Sequence, residues 1–230
     1  MSSDKMEIPK LFGTSGVRGV VGTELTFDKL WNVGRAVAAG LPAGANAVIS
    51  TDSRESRDFV QAAVTMGLLA GGINVTDGGI LPTPILAFAT VDMGMDVGLM
   101  CTASHNPPQY NGVKLFTSEG IGYSTRQENE VERIYAEKKF RDGNTANFRH
   151  EHGITARYTQ YLLKQFPPGK KSPHFRIAVD PGNGAASGIA SKIFSAFGYT
   201  VMPINDTPTA LFPAAARSQR KTRWKILISS

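Results

Sequence analysis

Short apolar runs alternate with amphipathic segments along the first 140 residues of the chain. The apolar runs predict buried strands over residues 47–50, 73–76, 97–100 and 111–116, and Asp77-Gly78-Gly79 is interpreted as a turn that ends the second of them. Apolar residues at three- and four-residue intervals predict helices over residues 26–40, 56–70 and 126–139, and Thr26 is the predicted cap of the first of them. Pro82-Thr83-Pro84 predicts the start of a shorter helix. This alternation is typical of an α/β domain.

The pattern changes after residue 140. Residues 141–153 are polar and rich in Gly and Asn, and we interpret them as a linker. The elements that follow are a helix (155–166), a strand (175–180), a helix (185–197) and a strand (199–204). A single βαβ unit cannot cover both faces of a parallel sheet, so we expect this second α/β domain to be incomplete. The chain is therefore divided into residues 1–148, 149–208 and 209–230.

The composition is typical of a globular protein. Of the 230 residues, 41% are hydrophobic and 19% are charged, unlike a disordered chain. No run approaches the roughly 18 consecutive apolar residues of a membrane span, and residues 1–10 lack the apolar core of a secretory signal. Cys101 is the single cysteine, so no intramolecular disulfide can form. These features favour a cytoplasmic protein with no membrane partner.

The net charge of +6 raises the question of nucleic-acid binding. Residues 209–230 contain five basic residues and no acidic residue, and removing those five charges leaves +1 for residues 1–208. A basic binding surface is therefore not expected on the folded part of the chain. We predict no nucleic-acid partner, and the sequence carries no signal for an oligomeric state.

Residues 102–111 (TASHNPPQYN) directly follow a predicted strand and place Ser104 in a loop stiffened by Pro107 and Pro108. A serine hydroxyl is a weak nucleophile unless it is activated, but amides and cations in such a loop can bind a phosphoryl group attached to it. The neighbouring Ser104 and His105 do not indicate a catalytic triad, because no third residue is marked as orienting the histidine. The alternative is an ordinary polar turn in which Ser104 and Asn106 bond their own backbone.

Four ordered segments give the chain a specific resemblance. Residues 102–116 (TASHNPPQYNGVKLF) resemble the phosphoserine loop of the α-D-phosphohexomutases, a family that includes phosphoglucomutases, phosphomannomutases and phosphoglucosamine mutases. Residues 12–19 (FGTSGVRG) resemble the family's N-terminal loop, residues 77–84 its mid-domain segment, and residues 179–185 (VDPGNGA) the first strand-turn of its second domain. The resemblance covers residues 10–208. It implies that residues 1–148 form the family's three-layer mixed α/β domain I and that residues 149–208 begin domain II.

The resemblance implies roles for four residues. Ser104 would carry the phosphoryl group, donate it and later take one back, and the negative charge of a phosphoserine requires cations nearby. Arg18 and Lys114 would supply this positive charge, since arginine grips phosphate with a forked guanidinium and lysine can also exchange protons. His105 would shape the loop or assist proton transfer. The alternatives are a surface position for Arg18 in a Gly-rich turn, a strand-edge position for Lys114 and a packing role for His105.

The resemblance also implies an activity. Members of the family interconvert hexose 1-phosphate and hexose 6-phosphate through a phosphoserine and a bisphosphate intermediate, with Mg²⁺ as cofactor. The substrate would be a phosphorylated hexose. The phosphate on Ser104 would be a Mg²⁺ ligand, while the aspartates of the family's metal loop have no counterpart in the 230 residues. Tyr110-Asn111-Gly112 is closer to the phosphomannomutase and phosphoglucomutase branch than to the glucosamine branch. The alternative class is a non-catalytic phosphate-binding module derived from domain I.

Residues 209–230 depart from the family pattern. After residues 205–208 (NDTP) the family continues into an acidic segment, whereas this chain reads TALFPAAARSQRKTRWKILISS. Loss of one nucleotide near the Pro208 codon explains the difference, because the codons for residues 213–230 can then be read back, with permitted third bases, as GRSPEPEEDEVENLDLI. We interpret residues 209–230 as a frameshifted tail. We expect the chain to be truncated and to have negligible mutase activity by itself, since positioning and metal contributions would both be lost.

Restoring one base near codon 208 of the coding DNA is expected to reopen a frame that encodes an Asp-Gly-Asp metal loop. Sequencing this region of the gene checks the hypothesis. A frame that runs on to a stop codon without such a loop would contradict it.

Overall fold

The computed structural model describes residues 10–13, 16–167 and 175–210. Residues 211–230, most of the segment interpreted as frameshifted, lie outside the described residues. The described strands form a seven-stranded sheet in the order β1-β2-β6-β5-β3-β4-β7 and a two-stranded sheet of β8 and β9. The strands are β1 (Phe12–Gly13), β2 (Gly16–Val20), β3 (Asn46–Thr51), β4 (Asn74–Ile80), β5 (Val97–Cys101), β6 (Tyr110–Thr117), β7 (Phe148–His150), β8 (Arg176–Val179) and β9 (Thr200–Pro203).

Six helices occur in the described part of the chain. They are α1 (Phe27–Ala39), α2 (Arg57–Ala70), α3 (Thr83–Asp92), α4 (Thr125–Glu137), α5 (Ile154–Gln165) and α6 (Ala190–Ala196). None of these helices has the length and apolar character that crossing a bilayer requires.

The centre of the large sheet is parallel, and one of its sides is antiparallel. β3 pairs in parallel with β4 and with β5, and β4 pairs in parallel with β7. β6 runs antiparallel to both β5 and β2, and β1 runs antiparallel to β2. The carboxyl ends of β3 and β5 and the beginning of β6 therefore lie at the same edge of the sheet.

Both faces of the large sheet are covered by helices. Ala47 and Ile49 of β3 pack in a core cluster with residues of α1, α2 and α4, whereas Val48 between them packs in a second cluster with residues of α3 and α5. Successive side chains of a strand point to opposite faces, so one buried strand contributes to two cores. This arrangement confirms the predicted mixed α/β fold with three layers.

Two helices begin at capping motifs, the first of which was predicted from the sequence. Thr26 caps α1, and its Oγ1 accepts a hydrogen bond from the Lys29 amide at 3.3 Å. Ser124 and Gln127 form a reciprocal capping box at the start of α4. The helix predicted over residues 185–197 is shorter, because turns occupy the residues before α6 and Gly188 has a φ of +71° that a right-handed helix does not allow.

The turn predicted at residues 77–79 is wrong. β4 continues through Asp77-Gly78-Gly79 to Ile80, and its pairing with β3 shifts register between Ile49 and Thr51. A bulge of this kind accommodates an extra residue without ending the strand. Glycine is needed here, since a Cβ on Gly78 would lie 2.7 Å from Ser50 Oγ and Gly79 has a φ of +72°.

The linker predicted over residues 141–153 is also wrong in part. It contains β7, which extends the large sheet beside β4, and it begins with Arg141, whose guanidinium donates to the carbonyl oxygens of Ala38, Leu41 and Gly71. Those carbonyls lie at the ends of α1 and α2, where the helices leave acceptors unpaired. The polar composition of residues 141–153 correctly indicated that most of them are exposed, but it gave no sign that Arg141 binds the helix ends.

The predicted boundary at residues 148/149 falls within β7. Farther along, Ile154 at the start of α5 is 2% exposed and packs in the core cluster of α3. The second sheet begins at Arg176. The division of the chain into domains stays a prediction.

A buried carboxylate attaches β1 to the helical layer. Glu132 of α4 is 8% exposed, and its Oε1 accepts hydrogen bonds from the amides of Leu11 at 2.6 Å and Phe12 at 2.8 Å. Charge-assisted bonds of this kind are stronger than neutral ones. The short first strand is therefore held at a defined place beside β2.

Helices α1 and α2 approach each other closely through two glycines. A Cβ on Gly67 would run into the carbonyl oxygen of Trp31, and a Cβ on Gly34 would run into that of Val64. These contacts leave no space for a methyl group between the two backbones.

Replacing Gly67→Ala is therefore expected to lower the free energy of unfolding by about 2 kcal/mol, because overpacking against a backbone outweighs the better helix propensity of alanine. Urea denaturation followed by circular dichroism measures the change. Gly122→Ala is the matched control, since a Cβ there meets nothing within 4 Å, and its stability should stay close to that of the parent chain. Equal stability of the two variants would contradict the close packing.

Candidate functional site

Two loops meet at the carboxyl edge of the large sheet. β3 ends at Thr51 and leads into Asp52, while β5 ends at Cys101 and leads through Thr102 to Ser104. The Asp52 amide donates a hydrogen bond to the Cys101 carbonyl at 3.1 Å, so the two chain segments stay paired beyond the strands. In open α/β sheets this edge is the usual place for ligand binding.

Ser104 lies exposed in the second loop and has a left-handed backbone conformation. Its φ is +58°, which is uncommon for a residue other than glycine. Its amide donates to Thr102 Oγ1 at 2.9 Å, and its Oγ lies 3.5 Å from His105 Nδ1. At that distance a bond to the imidazole is weak at best. The structure therefore places Ser104 and His105 side by side, with the serine backbone held in a strained form.

Arg18 and Lys114 lie on neighbouring antiparallel strands. Arg18 of β2 is paired with Gly112 of β6, two residues before Lys114, and both basic side chains are partly buried. Arg18 is in a strand rather than in a surface turn, and β6 has a neighbour on each side. The surface alternative for Arg18 and the edge alternative for Lys114 are therefore wrong.

The charge of Arg18 acts on Lys114, and the charge of Arg54 acts on Arg18. Burial, followed by the charge of Arg54, lowers the pKa of the Arg18 guanidinium, and burial, followed by the charge of Arg18, lowers the pKa of the Lys114 amine. Arg18 Nε is buried and has no hydrogen-bond partner in the described part of the chain. An unpaired buried donor is costly, and a pair of adjacent cations is stabilised by an anion. The arrangement therefore favours anion binding beside Arg18.

Arg54 is an important residue that the sequence analysis missed. It is 1% exposed. Its charge acts on Arg18, and its Nη2 donates a hydrogen bond to the Ser104 carbonyl oxygen at 2.9 Å, so it connects the two basic residues with the serine loop. Its Nε also donates to Asp52 Oδ2 at 3.0 Å, and the same carboxylate oxygen accepts from Thr102 Oγ1 at 2.6 Å. An acid and a base two residues apart, directly after a buried strand, were the signal that could have indicated this network.

A second part of the chain reaches the same edge. Ser53 Oγ donates to the carbonyl oxygen of Asn183 at 3.3 Å. Asn183 has a φ of +60° and lies in the turn that follows β8, where the Gly184 amide donates to the Pro181 carbonyl at 3.2 Å. The resemblance of residues 179–185 to a strand-turn predicts a turn here, and the structure has one at residues 182–183.

Cys101, close to the loop, is not a candidate nucleophile. Its thiol is fully buried, and burial, followed by the charge of Asp52, raises its pKa. A buried thiol in its protonated form is unreactive.

The family resemblance implies a Mg²⁺ ion, which would need oxygen ligands at this edge of the sheet. Within residues 10–13, 16–167 and 175–210, no group of three or more His, Cys, Asp or Glu side chains is placed to hold a metal ion. Mg²⁺ prefers several oxygen ligands in octahedral geometry, and the Asp52 carboxylate is already bonded to Arg54 and Thr102. The described residues therefore do not form a magnesium site by themselves.

Comparisons with known proteins show what the chain is similar to. The family of α/β/α domain I of phosphoglucomutases and phosphomannomutases matches residues 9–142. Among curated proteins, a probable phosphoglucosamine mutase from Pyrococcus abyssi is 38% identical over 88% of this chain and 45% of its own length. The phosphoglucosamine mutase of Methanococcus vannielii is 37% identical over 85% of this chain and 42% of its own length.

A solved structure shows the same fold. The crystal structure of a phosphoglucomutase/phosphomannomutase family protein from Burkholderia thailandensis superimposes with a TM-score of 0.77 and 27% identity, covering 88% of this chain and 45% of that protein. This chain thus spans about half the length of the proteins that it matches.

The coupling of the two cations leads to a titration experiment. Replacing Arg18→Gln removes a positive charge beside Lys114. The ammonium form of Lys114 is then less destabilised, so the lysine pKa should rise towards its ordinary value. NMR titration of a chain with carbon-labelled lysine side chains measures this pKa. Arg133→Gln, on the outer helix α4, is the control and should leave the Lys114 pKa unchanged. A Lys114 pKa that is the same in both variants would contradict the coupling.

Proposed function

Because the chain belongs to the phosphoglucomutase/phosphomannomutase family, the α-D-phosphohexomutases, we propose that it carries the phosphoserine part of a mutase site. In this site Ser104 exchanges a phosphoryl group with a phosphorylated hexose. The observation that carries the proposal is the exposed Ser104 at the end of β5, next to an edge where Arg18 has a buried donor without a partner. A dianionic phosphoryl group on the serine would supply the missing acceptor.

The proposed transfer divides into two similar steps. In the first, the bond between phosphorus and Ser104 Oγ breaks while a bond from phosphorus to a sugar hydroxyl oxygen forms; the sugar hydroxyl loses its proton, Ser104 Oγ gains one, and the product is a hexose bisphosphate. In the second, the bond between the other phosphorus and its sugar oxygen breaks while a bond from that phosphorus to Ser104 Oγ forms; Ser104 Oγ loses its proton and the freed sugar oxygen gains one. Each step needs a group that takes or gives a proton at the sugar or serine oxygen.

Lys114 is the proposed proton-transfer group, and Arg18 is the proposed charge-neutralising group. Burial and the neighbouring Arg18 lower the pKa of Lys114, so a larger fraction of its amine is neutral at a given pH and can accept a proton. Arginine stays charged and can bind phosphate oxygens with two parallel hydrogen bonds. His105, 3.5 Å from Ser104 Oγ, is proposed to assist by shaping the loop.

Mg²⁺ is proposed as the cofactor on the basis of the family. Phosphorylated Ser104 would be one ligand, and the aspartates of the family's metal loop have no counterpart in the 230 residues. When bound, the ion neutralises negative charge on the transferring group.

The sugar is a further proposal, limited to the class of phosphorylated hexoses. Tyr110-Asn111-Gly112 favoured the mannose and glucose branch, whereas the two curated relatives described above are named phosphoglucosamine mutases. The whole reaction cycle, like the expected inactivity of this chain by itself, is a proposal, since the chain spans about half of its relatives.

The function is tested by phosphoryl loading. The dephosphorylated 230-residue chain is incubated with a radiolabelled hexose 1,6-bisphosphate and Mg²⁺, and the label is located by peptide mapping. We expect slow single-turnover labelling at Ser104, slower still in Lys114→Met, which lacks the proton-transfer group. Ser104→Ala is the control and should take up no label.

Label that is found on other residues, or that persists in Ser104→Ala, would contradict the proposal. A parent chain that takes up no more label than Ser104→Ala would contradict it as well. Tight binding of the bisphosphate without any transfer to Ser104 would instead favour the non-catalytic phosphate-binding module.

A further inference from the structure

The guanidinium of Arg54 lies inside the Ser104 loop rather than at its surface. Its Nη1 donates to the carbonyl oxygens of Pro107 at 2.8 Å and Tyr110 at 2.9 Å, and its Nη2 donates to those of Ser104 and Asn106, both at 2.9 Å. These four acceptors are all main-chain atoms of one segment. A single side chain thus binds both arms of the loop.

We infer that Arg54 is a positioning residue that holds the loop in the conformation in which Ser104 is presented for phosphoryl transfer. This inference rests on the proposed function, because that function is what makes this loop conformation the one needed for phosphoryl transfer. The clamp itself follows from the contacts of Arg54 and is tested without any phosphoryl chemistry.

The loop has few means of holding its own shape. Pro107 and Pro108 have no amide hydrogen to donate, and the hydrogen bonds between backbone atoms within residues 103–110 include only those from the Asn106 amide to the Ala103 carbonyl and from the Tyr110 amide to the Pro107 carbonyl. Ser104 also has the strained φ of +58°. A left-handed serine persists only where its surroundings impose that conformation, and Arg54 provides such surroundings.

Arginine is the side chain that this geometry requires. The planar guanidinium offers five donors in a fixed fork, whereas the ammonium of lysine offers three on a flexible stem. The bond from Arg54 Nε to Asp52 fixes the plane of the fork. Asp52 also binds Thr102 Oγ1, which accepts from the Ser104 amide, so the loop is connected to the same carboxylate from a second direction.

Arg54 also adds positive charge to the site. Its charge helps to lower the pKa of Arg18, although its hydrogen bonds are directed at carbonyl oxygens. Arg54 thus contributes to the field at the anion site while it organises the loop, and phosphate contact is left to Arg18 and Lys114.

Replacing Arg54→Lys tests the inference through residue-specific amide hydrogen exchange, measured by NMR on the 230-residue chain without phosphate or sugar. Loss of several hydrogen bonds should accelerate exchange at the amides of Ser104, Asn106 and Tyr110 by about tenfold or more. The amides of Gly40 and Gly71, at the ends of α1 and α2, should exchange at the parent rate.

Arg141→Lys is the matched control, because Arg141 also binds main-chain carbonyls, at the ends of α1 and α2 and not in the Ser104 loop. It should accelerate exchange at Gly40 and Gly71 and leave the loop unchanged. In the labelling experiment above, Arg54→Lys should load Ser104 at least about tenfold more slowly than Arg141→Lys, since misplacement of reacting groups by small distances is costly.

Uniform acceleration across the chain in Arg54→Lys, or loop exchange equal to that of the parent, would overturn the inference. If Arg54→Lys does not fold, Asp52→Asn decides, because it keeps Arg54 and weakens the bond that orients the guanidinium, together with the bond to Thr102 Oγ1. Faster exchange at Asn106 and Tyr110, whose carbonyl oxygens bind Arg54 and not Thr102, supports the clamp in that variant, and exchange that rises equally everywhere overturns it. A failure to load Ser104 in the parent chain would affect the proposed function and leave the exchange result intact.

Discussion

The buried ion pair of Arg54 and Asp52 is the interaction on which the site depends. Removing two charges from water is expensive, and their mutual attraction offsets this cost only when the remaining donors and acceptors are also bonded. Here the guanidinium binds main-chain carbonyls of the Ser104 loop, and the carboxylate accepts from Thr102 and from the Arg54 amide. The need to satisfy buried charges therefore also determines the shape of the loop. Stability of the fold and geometry of the site are consequences of the same contacts.

The parallel sheet makes this arrangement possible. β3 and β5 are adjacent and parallel, so the segments that carry Arg54 and Ser104 leave the sheet at the same edge although they are about fifty residues apart in the chain. β6 then returns antiparallel to both β5 and β2, which places Lys114 and Arg18 on paired strands beside that edge. Ser53, next to Arg54, contacts the turn after β8, so a residue beyond the second sheet's first strand lies next to the same network.

Much of the fold could be predicted from the sequence, because many of its signals are local. The cap at Thr26 and the apolar spacing of α1 depend on residues within a few positions of one another, and they were interpreted correctly. The strand through Asp77-Gly78-Gly79 was missed because its conformation depends on pairing with β3, which no local pattern reveals. β7 was missed for the same reason, since its three exposed residues become a strand only beside β4. Ser104 could be proposed from the sequence because its loop is one continuous motif, whereas the contacts of Arg54 are formed between distant segments.

The bond from Glu132 to the first strand has a consequence for which side of the sheet Arg18 occupies. A strand alternates its side chains between two faces, so a slip of one residue along its neighbour exchanges the faces. By fixing the amides of Leu11 and Phe12, Glu132 opposes such a slip of β1 along β2, the strand that carries Arg18. Glu132, in the outer helical layer, thereby helps to keep the Arg18 side chain of β2 on the side of the sheet where the anion site lies.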